Sequence, residues 1–178
     1  MPAPERLETS RLILRKPLAA DASAVFARYA GDPEVTRFMS WPRHRSVEDT
    51  AMFLQFSDAE WQRWPVGPYV IEARDSGRLM GSTGLVFETP QRAATGYVLA
   101  RDAWGQGYAT EALRAVVEVA AKAGVRRLCA LTHLEHSASW RVLEKCEFVR
   151  EGILRKHTEF PNLLPGELSD VLCYARIL

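Results

Sequence analysis

The segment from Ala93 to His133 constrains this chain more than any other. It reads as a strand (AATGYVLA, Ala93–Ala100), a glycine-bearing turn (WGQGYATEA, Trp104–Ala112), an amphipathic helix (EALRAVVEVAAKAG) and a second strand (RRLCALTH). In the helix, Leu113, Val116, Val117 and Ala120 recur at helical spacing, and Gly124 closes it as a C-cap. Such a unit requires a sheet with the helix packed on its face. Gly105 and Gly107 let the backbone approach a ligand closely, and Ala109 is too small to obstruct it. The helix N-terminus directs unpaired N–H groups and the positive end of its dipole at the same place, which suits a phosphate. A tight strand-to-helix connection accounts for one glycine, less readily for two.

Two phosphate motifs are excluded here. No Gly-Lys-Ser/Thr triplet exists in the chain, so the turn is not a Walker loop. The dinucleotide pattern GxGxxG fails at Thr110, and the following strand closes on Thr132-His133 with no acidic residue.

The flanking sequence extends the α/β pattern. Arg11–Leu18 alternates like a half-buried strand, and Asp21 is placed to cap a short helix carrying Val25, Phe26 and Tyr29 that stops at Gly31-Asp32-Pro33. Ser46 and Asp49 form a capping box for a second helix, ended by Trp64-Pro65. PYVIEAR, a turn at Asp75-Ser76-Gly77 and LMGSTGLVFE read as a hairpin. SASWRVLEKCEF is a short helix anchored by Trp140, Leu143 and Phe148, and REGILRKH and LSDVLCYARIL are the last strands.

Composition narrows the function classes. With 178 residues, 47% hydrophobic and 25% charged, one soluble domain spanning residues 1–178 is expected. Lys+Arg 23 against Asp+Glu 22 lacks the basic excess of a nucleic-acid or membrane-surface binder. Cys129, Cys146 and Cys173 make no CxxC pair, so buried core thiols are expected, with no disulfide framework and no metal site. The opening MPAPERLETSR lacks the apolar stretch of a secretory signal, and no apolar run suits a membrane span, so a cytoplasmic location is expected.

GYVLARDAWGQGYATEAL, followed by HSASWRVLEKCEF, resembles the GNAT N-acetyltransferases, and in particular the branch containing the ribosomal-protein-alanine N-acetyltransferases. LETSRLILRKPLAAD, DPEVTRFMSWP and LSDVLCYARIL are similar to that branch too, so the resemblance spans nearly the whole chain. It implies an α/β (α+β) GNAT fold: a splayed, mixed, mostly antiparallel sheet of about seven strands flanked by helices, with acetyl-CoA lying in the splay. The resemblance assigns the pyrophosphate to the backbone N–H groups of Gly105, Gln106, Gly107, Tyr108, Ala109 and Thr110. Trp104 stands where many relatives carry Gln or Arg. The backbone of Val98, Leu99 and Ala100 is assigned to the pantetheine arm, with oxyanion stabilisation from N–H groups near Val98 and Leu99. Ser139 matches the Ser of the family's Asn-x-x-Ser motif, and His136 replaces its Asn.

The implied reaction is direct attack of an amine on the acetyl thioester in a ternary complex. Ala94 stands where relatives often place a Glu base, and Leu143 where many carry a Tyr acid. Ser139 remains as candidate acid, and Glu88 and His133 as candidate bases; each of these two is equally well a strand-end residue. Glu111 more readily favours the helix N-terminus than catalyses. An α-amine, with a reference pKa of about 7.7–8.0, is neutral far more often at pH 7 than a lysine at about 10.4, so this thin acid–base set fits an α-amine or another low-pKa amine better than a lysine. Candidate acceptor contacts are Phe38, Met39, Trp41 and the Arg43-His44-Arg45 run, with His157 and Phe160 from the last hairpin loop.

The expected function is therefore acetyl-CoA-dependent N-acetylation. A protein N-terminus leads as acceptor, and a small-molecule amine such as an antibiotic, polyamine or amino-acid derivative is its alternative. A rival of another class is a regulatory module that binds acyl-CoA without turnover, which the departures at Ala94, His136 and Leu143 would permit. A homodimer is compatible with the sequence, which does not show one.

Overall fold

The computed structural model describes residues 4–178; the first three residues of the opening segment lie outside it. Among the described residues eight strands form one sheet in the order β1-β2-β3-β4-β5-β6-β8-β7. They are β1 (Arg6–Glu8), β2 (Leu12–Arg15), β3 (Tyr69–Ala73), β4 (Leu79–Thr89), β5 (Arg92–Leu99), β6 (Arg127–His133), β7 (Val149–Glu159) and β8 (Leu168–Ile177). The expectation of about seven falls one short, because the three-residue β1 is too brief to leave an alternating pattern.

Only the β5–β6 pair is parallel, and it holds only from Arg92–Ala94 against Arg127–Cys129. Beyond Ala94 and Cys129 the two strands separate while each keeps its other neighbour. β5 stays paired to β4 as far as Leu99, and β6 to β8 as far as His133. The sheet is therefore wedged open, and both halves of the wedge keep an unpaired edge.

Helices cover both faces. Leu113, Val116 and Ala120 of α4 (Tyr108–Lys122) are fully buried against Leu12, Leu14, Ile71 and Met80, and Leu143 of α5 (Ser137–Lys145) joins the same core. On the opposite face Val25, Tyr29, Ala30 and Val35 close over Val70 and Leu79. The alternation of β3 and β4 residues between the two clusters is that of strands buried on both sides.

α3 (Val47–Arg63) starts at the Ser46–Asp49 capping box read from the sequence. Asp21 does not cap α1 (Ala22–Val25). Its carboxylate accepts the Leu18 N–H (2.7 Å) and pairs with the Arg15 guanidinium, which also binds Glu72. Neutralising a half-buried arginine outweighs capping a four-residue helix. α1 runs on as a π-helical turn over Phe26–Ala30, and a further helix, α2 (Pro33–Thr36), follows where the sequence suggested only a stop. Asp32 caps it, accepting from the Glu34 and Val35 N–H groups, with Pro33 at the first helical position. Of the cysteines, Cys146 is buried, whereas Cys129 and Cys173 are half-buried.

Candidate active site

Two cavities, of ≈ 540 and ≈ 520 Å³, adjoin the separated strands: the first is lined by the end of β5, the turn before α4 and α5, the second by both β5 and β6. They share Phe38, Met39, Tyr97, Val98, His136 and Ser139 as a common boundary.

The first cavity is floored by the turn before α4. Gly105 and Gly107 take φ of 73° and 81°, a region in which side chains other than glycine are strained. After the Trp104 N–H, which bonds Arg101 O (3.2 Å), the next N–H to bond a backbone carbonyl is that of Glu111, to Gly107 O (3.1 Å), so the amides between them are open to a ligand. Trp104, Gly105, Gly107, Tyr108, Ala109 and Thr110 line the cavity, and Arg37, Arg141 and Lys145, against Glu34 and Glu135, leave it net positive. Glycines without a Cβ, orphan amides, a helix N-terminus and three cations fit a CoA-like diphosphate.

Gln106 does not line this cavity. Its amide side chain donates to Asp102 O (2.8 Å) and its carbonyl accepts from Arg11 Nη1 (2.9 Å). Arg11 also lies over the Tyr108 ring, 4.4 Å from its centroid, and pairs with Glu111. Glu111 Oε1 accepts from Thr9 Oγ1 (2.6 Å), Ser10 Oγ (3.0 Å) and the Arg11 N–H (2.9 Å). Burial would raise this carboxyl, but those donors and the Arg11 guanidinium hold it down to about 2. Glu111 thus ties the β1–β2 turn to the back of the phosphate loop, a role that sequence spacing does not reveal.

Strand register corrects the expected backbone contacts. The Ala100 N–H donates to Met80 O (2.8 Å), so Ala100 faces β4 and is absent from both cavities. In an antiparallel pair the backbone groups alternate sides, so Val98 also faces β4, whereas Tyr97 and Leu99 present theirs to the open edge. The Leu99 carbonyl on that edge accepts from Trp104 Nε1 (2.8 Å), so Trp104 tethers the strand end to the loop. The amides available to an acyl oxygen or a pantetheine arm are those of Tyr97 and Leu99.

At the boundary Tyr97 OH donates to Ser139 O (2.7 Å) and lies 3.1 Å from Ser139 Oγ. Burial pushes the Tyr97 phenol well above its ordinary value, so it keeps its proton. Tyr97 carried no sequence signal beyond its place beside Gly96. His136 stacks on Phe38 (centroids 4.7 Å apart), and burial, with His133 nearby, lowers it to about 4. It is neutral at physiological pH and a weak base.

The candidate bases fare differently from the acid. Glu88 is paired with Arg92 (2.9 Å), half exposed, and lines neither cavity. His133 is buried, with its Nδ1 accepting the Glu135 N–H (3.2 Å) and its ring packed between Phe38 and Phe160, and it too lines neither cavity.

The second cavity lies across that boundary. Phe38, Met39, Trp41, His44 and Phe160, the residues expected to contact an acceptor, line it together with Phe53 and Phe56 of α3. Arg43 and Arg45 are outside it, and His157 is exposed, bonding Thr158 Oγ1 (2.9 Å). Asn162, unmarked in the sequence, staples the two loops that wall this cavity. It donates to Thr36 O (2.8 Å) and Trp41 O (2.9 Å) and accepts the Arg43 N–H (2.8 Å).

The model of the acetyltransferase (GNAT) domain matches residues 11–149. This chain belongs to that family. An uncharacterized N-acetyltransferase of Bacillus subtilis (strain 168), YoaA, is 35% identical over 154 residues, covering 85% of this chain and 86% of its own. Among solved structures, the ribosomal L7/L12 α-N-protein acetyltransferase RimL with coenzyme A superposes with a TM-score of 0.85 at 23% identity, covering 98% of each chain. The microcin C7 self-immunity acetyltransferase MccE, with acetyl-CoA and AMP, gives 0.86 at 19% identity over 99% of this chain and 98% of that one. These two likenesses establish the fold. As a GNAT protein the chain is an acetyl-CoA-dependent N-acetyltransferase, and among the described residues no helix is long and apolar enough to cross a membrane.

Proposed function

We propose that residues 1–178 act as one catalytic domain that acetylates the N-terminal α-amine of a polypeptide. The observation that carries this is the shared boundary: a phosphate-suited cavity and an acceptor cavity meet at Tyr97 and Ser139, where no carboxylate stands. An amine that is already partly neutral near pH 7 needs least help there. The RimL likeness, to an enzyme named for α-N-protein acetylation, supports the same acceptor class.

When bound, acetyl-CoA supplies the activated acetyl thioester. The chain's own groups then have separable tasks. The amides of Gly105 and Gly107–Thr110 bind phosphate, with Arg37, Arg141 and Lys145 around them. The N–H groups of Tyr97 and Leu99 on the open strand edge are placed to hold an acyl oxygen and stabilise charge developing on it. Ser139 Oγ is placed to pass its proton to the departing thiolate while taking the one the attacking amine loses, so that in net a proton moves from the amine to the CoA thiol. The Tyr97 hydroxyl, bonded to Ser139 O, holds Ser139 in place. Phe38 and His136, stacked on each other, wall the junction.

The test is CoA release measured against pH with matched peptides, one offering a free α-amine and the other an acetylated N-terminus and one lysine. The α-amine peptide is expected to react faster throughout pH 6–8. A faster lysine peptide would overturn the assignment, and turnover of small amines alone would transfer it to a small-molecule acceptor.

A further inference from the structure

The acceptor cavity carries no formal charge. Among the described residues lining it there is no Asp, Glu, Lys or Arg, whereas the cofactor cavity is lined by Glu34, Arg37, Glu135, Arg141 and Lys145. The titratable groups facing the acceptor cavity are Tyr29, His44, Tyr97 and His136. Burial moves all four toward their neutral forms, the tyrosines upward and the histidines downward. Tyr29 and Ser82 satisfy each other by a hydrogen bond, and His44 Nδ1 lies 2.8 Å from Thr50 Oγ1.

The walls are apolar. Trp41 and Phe53 flank His44, and Phe56, Val86 and Leu131, which line the same space, remain 50%, 48% and 44% exposed. Large apolar side chains left uncovered in a concave site call for an apolar occupant. Thr132 also lines the cavity, and its buried hydroxyl has no partner among the described residues.

We propose that the acceptor's amine-bearing carbon carries a large apolar or aromatic group, and that acceptors with a second charge beside the amine are rejected. The proposal rests on the N-acetyltransferase reading above and refines it: the preferred peptide begins with a residue such as Phe or Leu, and polyamines and aminoglycosides are poor substrates. A charged group entering this cavity would lose its water and find no counter-ion.

The experiment uses the full chain and pentapeptides differing only in their first residue (Phe, Leu, Ser, Lys or Asp), together with spermidine and one aminoglycoside. CoA release gives kcat/KM, and thermal stabilisation by acetyl-CoA is measured on the same sample. Phe and Leu are expected to exceed Lys and Asp by about tenfold or more, with spermidine lowest. F56D, an exposed substitution, is expected to narrow that gap by raising the Lys-first peptide relative to the Phe-first one. Equal rates across first residues, or a preference for spermidine or Lys, would overturn the specificity and leave the acetyltransferase reading intact. Stabilisation by acetyl-CoA with no turnover of any amine would overturn both.

Discussion

Replacing Glu111 by Gln probes the join between the N-terminal turn and the phosphate loop. The carboxylate accepts three hydrogen bonds at Oε1 and a charged one from Arg11 Nε (2.7 Å) at Oε2, with its side chain only 16% exposed. Glutamine keeps the shape but turns an NH2 group toward one set of donors. Hydrogen bonds to a charged group contribute about 1.5–3 kcal/mol each when intact. Arg11 is 46% exposed, which weakens its share. A net loss of about 2–3 kcal/mol is expected, or about 5–10 °C in Tm for a chain of this size. Urea unfolding followed by tryptophan fluorescence reads it directly.

The pH dependence of that loss has a definite sign. Glu111 is depressed from its ordinary 4.5 to about 2, so its contribution is complete above pH 4.5 and is lost as pH falls toward 2. E111Q does not titrate there. The gap between the two proteins is therefore constant near neutrality and closes in acid between those limits. Acetyl-CoA affinity is expected to fall severalfold as well, because Arg11 also braces the Gln106 carbonyl and the Tyr108 ring. A loss below about 0.5 kcal/mol, or a gap unchanged in acid, would refute the role given to this carboxylate.

Three further outcomes follow from named contacts. S139A is expected to lower kcat by about 10–100-fold with little change in acetyl-CoA affinity; Y97F, which keeps the ring, is expected to lower it less. Unchanged turnover in both, measured by CoA release, would remove the hydroxyl pair from the mechanism. N162A frees both loops around the acceptor cavity, so KM for the acceptor is expected to rise while the acetyl-CoA Kd, followed by calorimetry, stays put. G81A places a methyl group against the Val98 carbonyl and the Leu99 side chain; a loss of about 1–3 kcal/mol and weaker acetyl-CoA binding are expected, and wild-type values for both would contradict the tight β4–β5 packing.

Long periodic segments were legible in the sequence. α4 declared itself through Leu113, Val116, Val117 and Ala120, and α3 through the Ser46–Asp49 box, because those signals are local. The glycine turn before α4 was legible because positive φ at Gly105 and Gly107 leaves a compositional mark. α2 was not legible: Asp32-Pro33 is a cap followed by a first-turn proline, but ahead of so short a helix the same residues read as a stop. The acid–base geometry was not legible. Whether Val98 or Tyr97 faces the open edge depends on one hydrogen bond, from Ala100 to Met80, and a one-residue change of register reverses it. Glu88 and His133 stand out by residue type alone, and only the fold shows one paired with Arg92 and the other enclosed by Phe38 and Phe160. Asn162 and Glu111 act over separations of more than a hundred residues, which no spacing rule reaches.

The central claim is that two cavities meeting at Tyr97 and Ser139 form one acetyl-transfer site. Acetyl-CoA binding and CoA release, measured on wild type and S139A with an α-amine peptide, test it most directly. Ligand at ~100 times its Kd is expected to stabilise both proteins by ~2.7 kcal/mol, with rapid CoA release in wild type and a large loss in S139A. Equal turnover in the two proteins, or no stabilisation of either by acetyl-CoA, would contradict it.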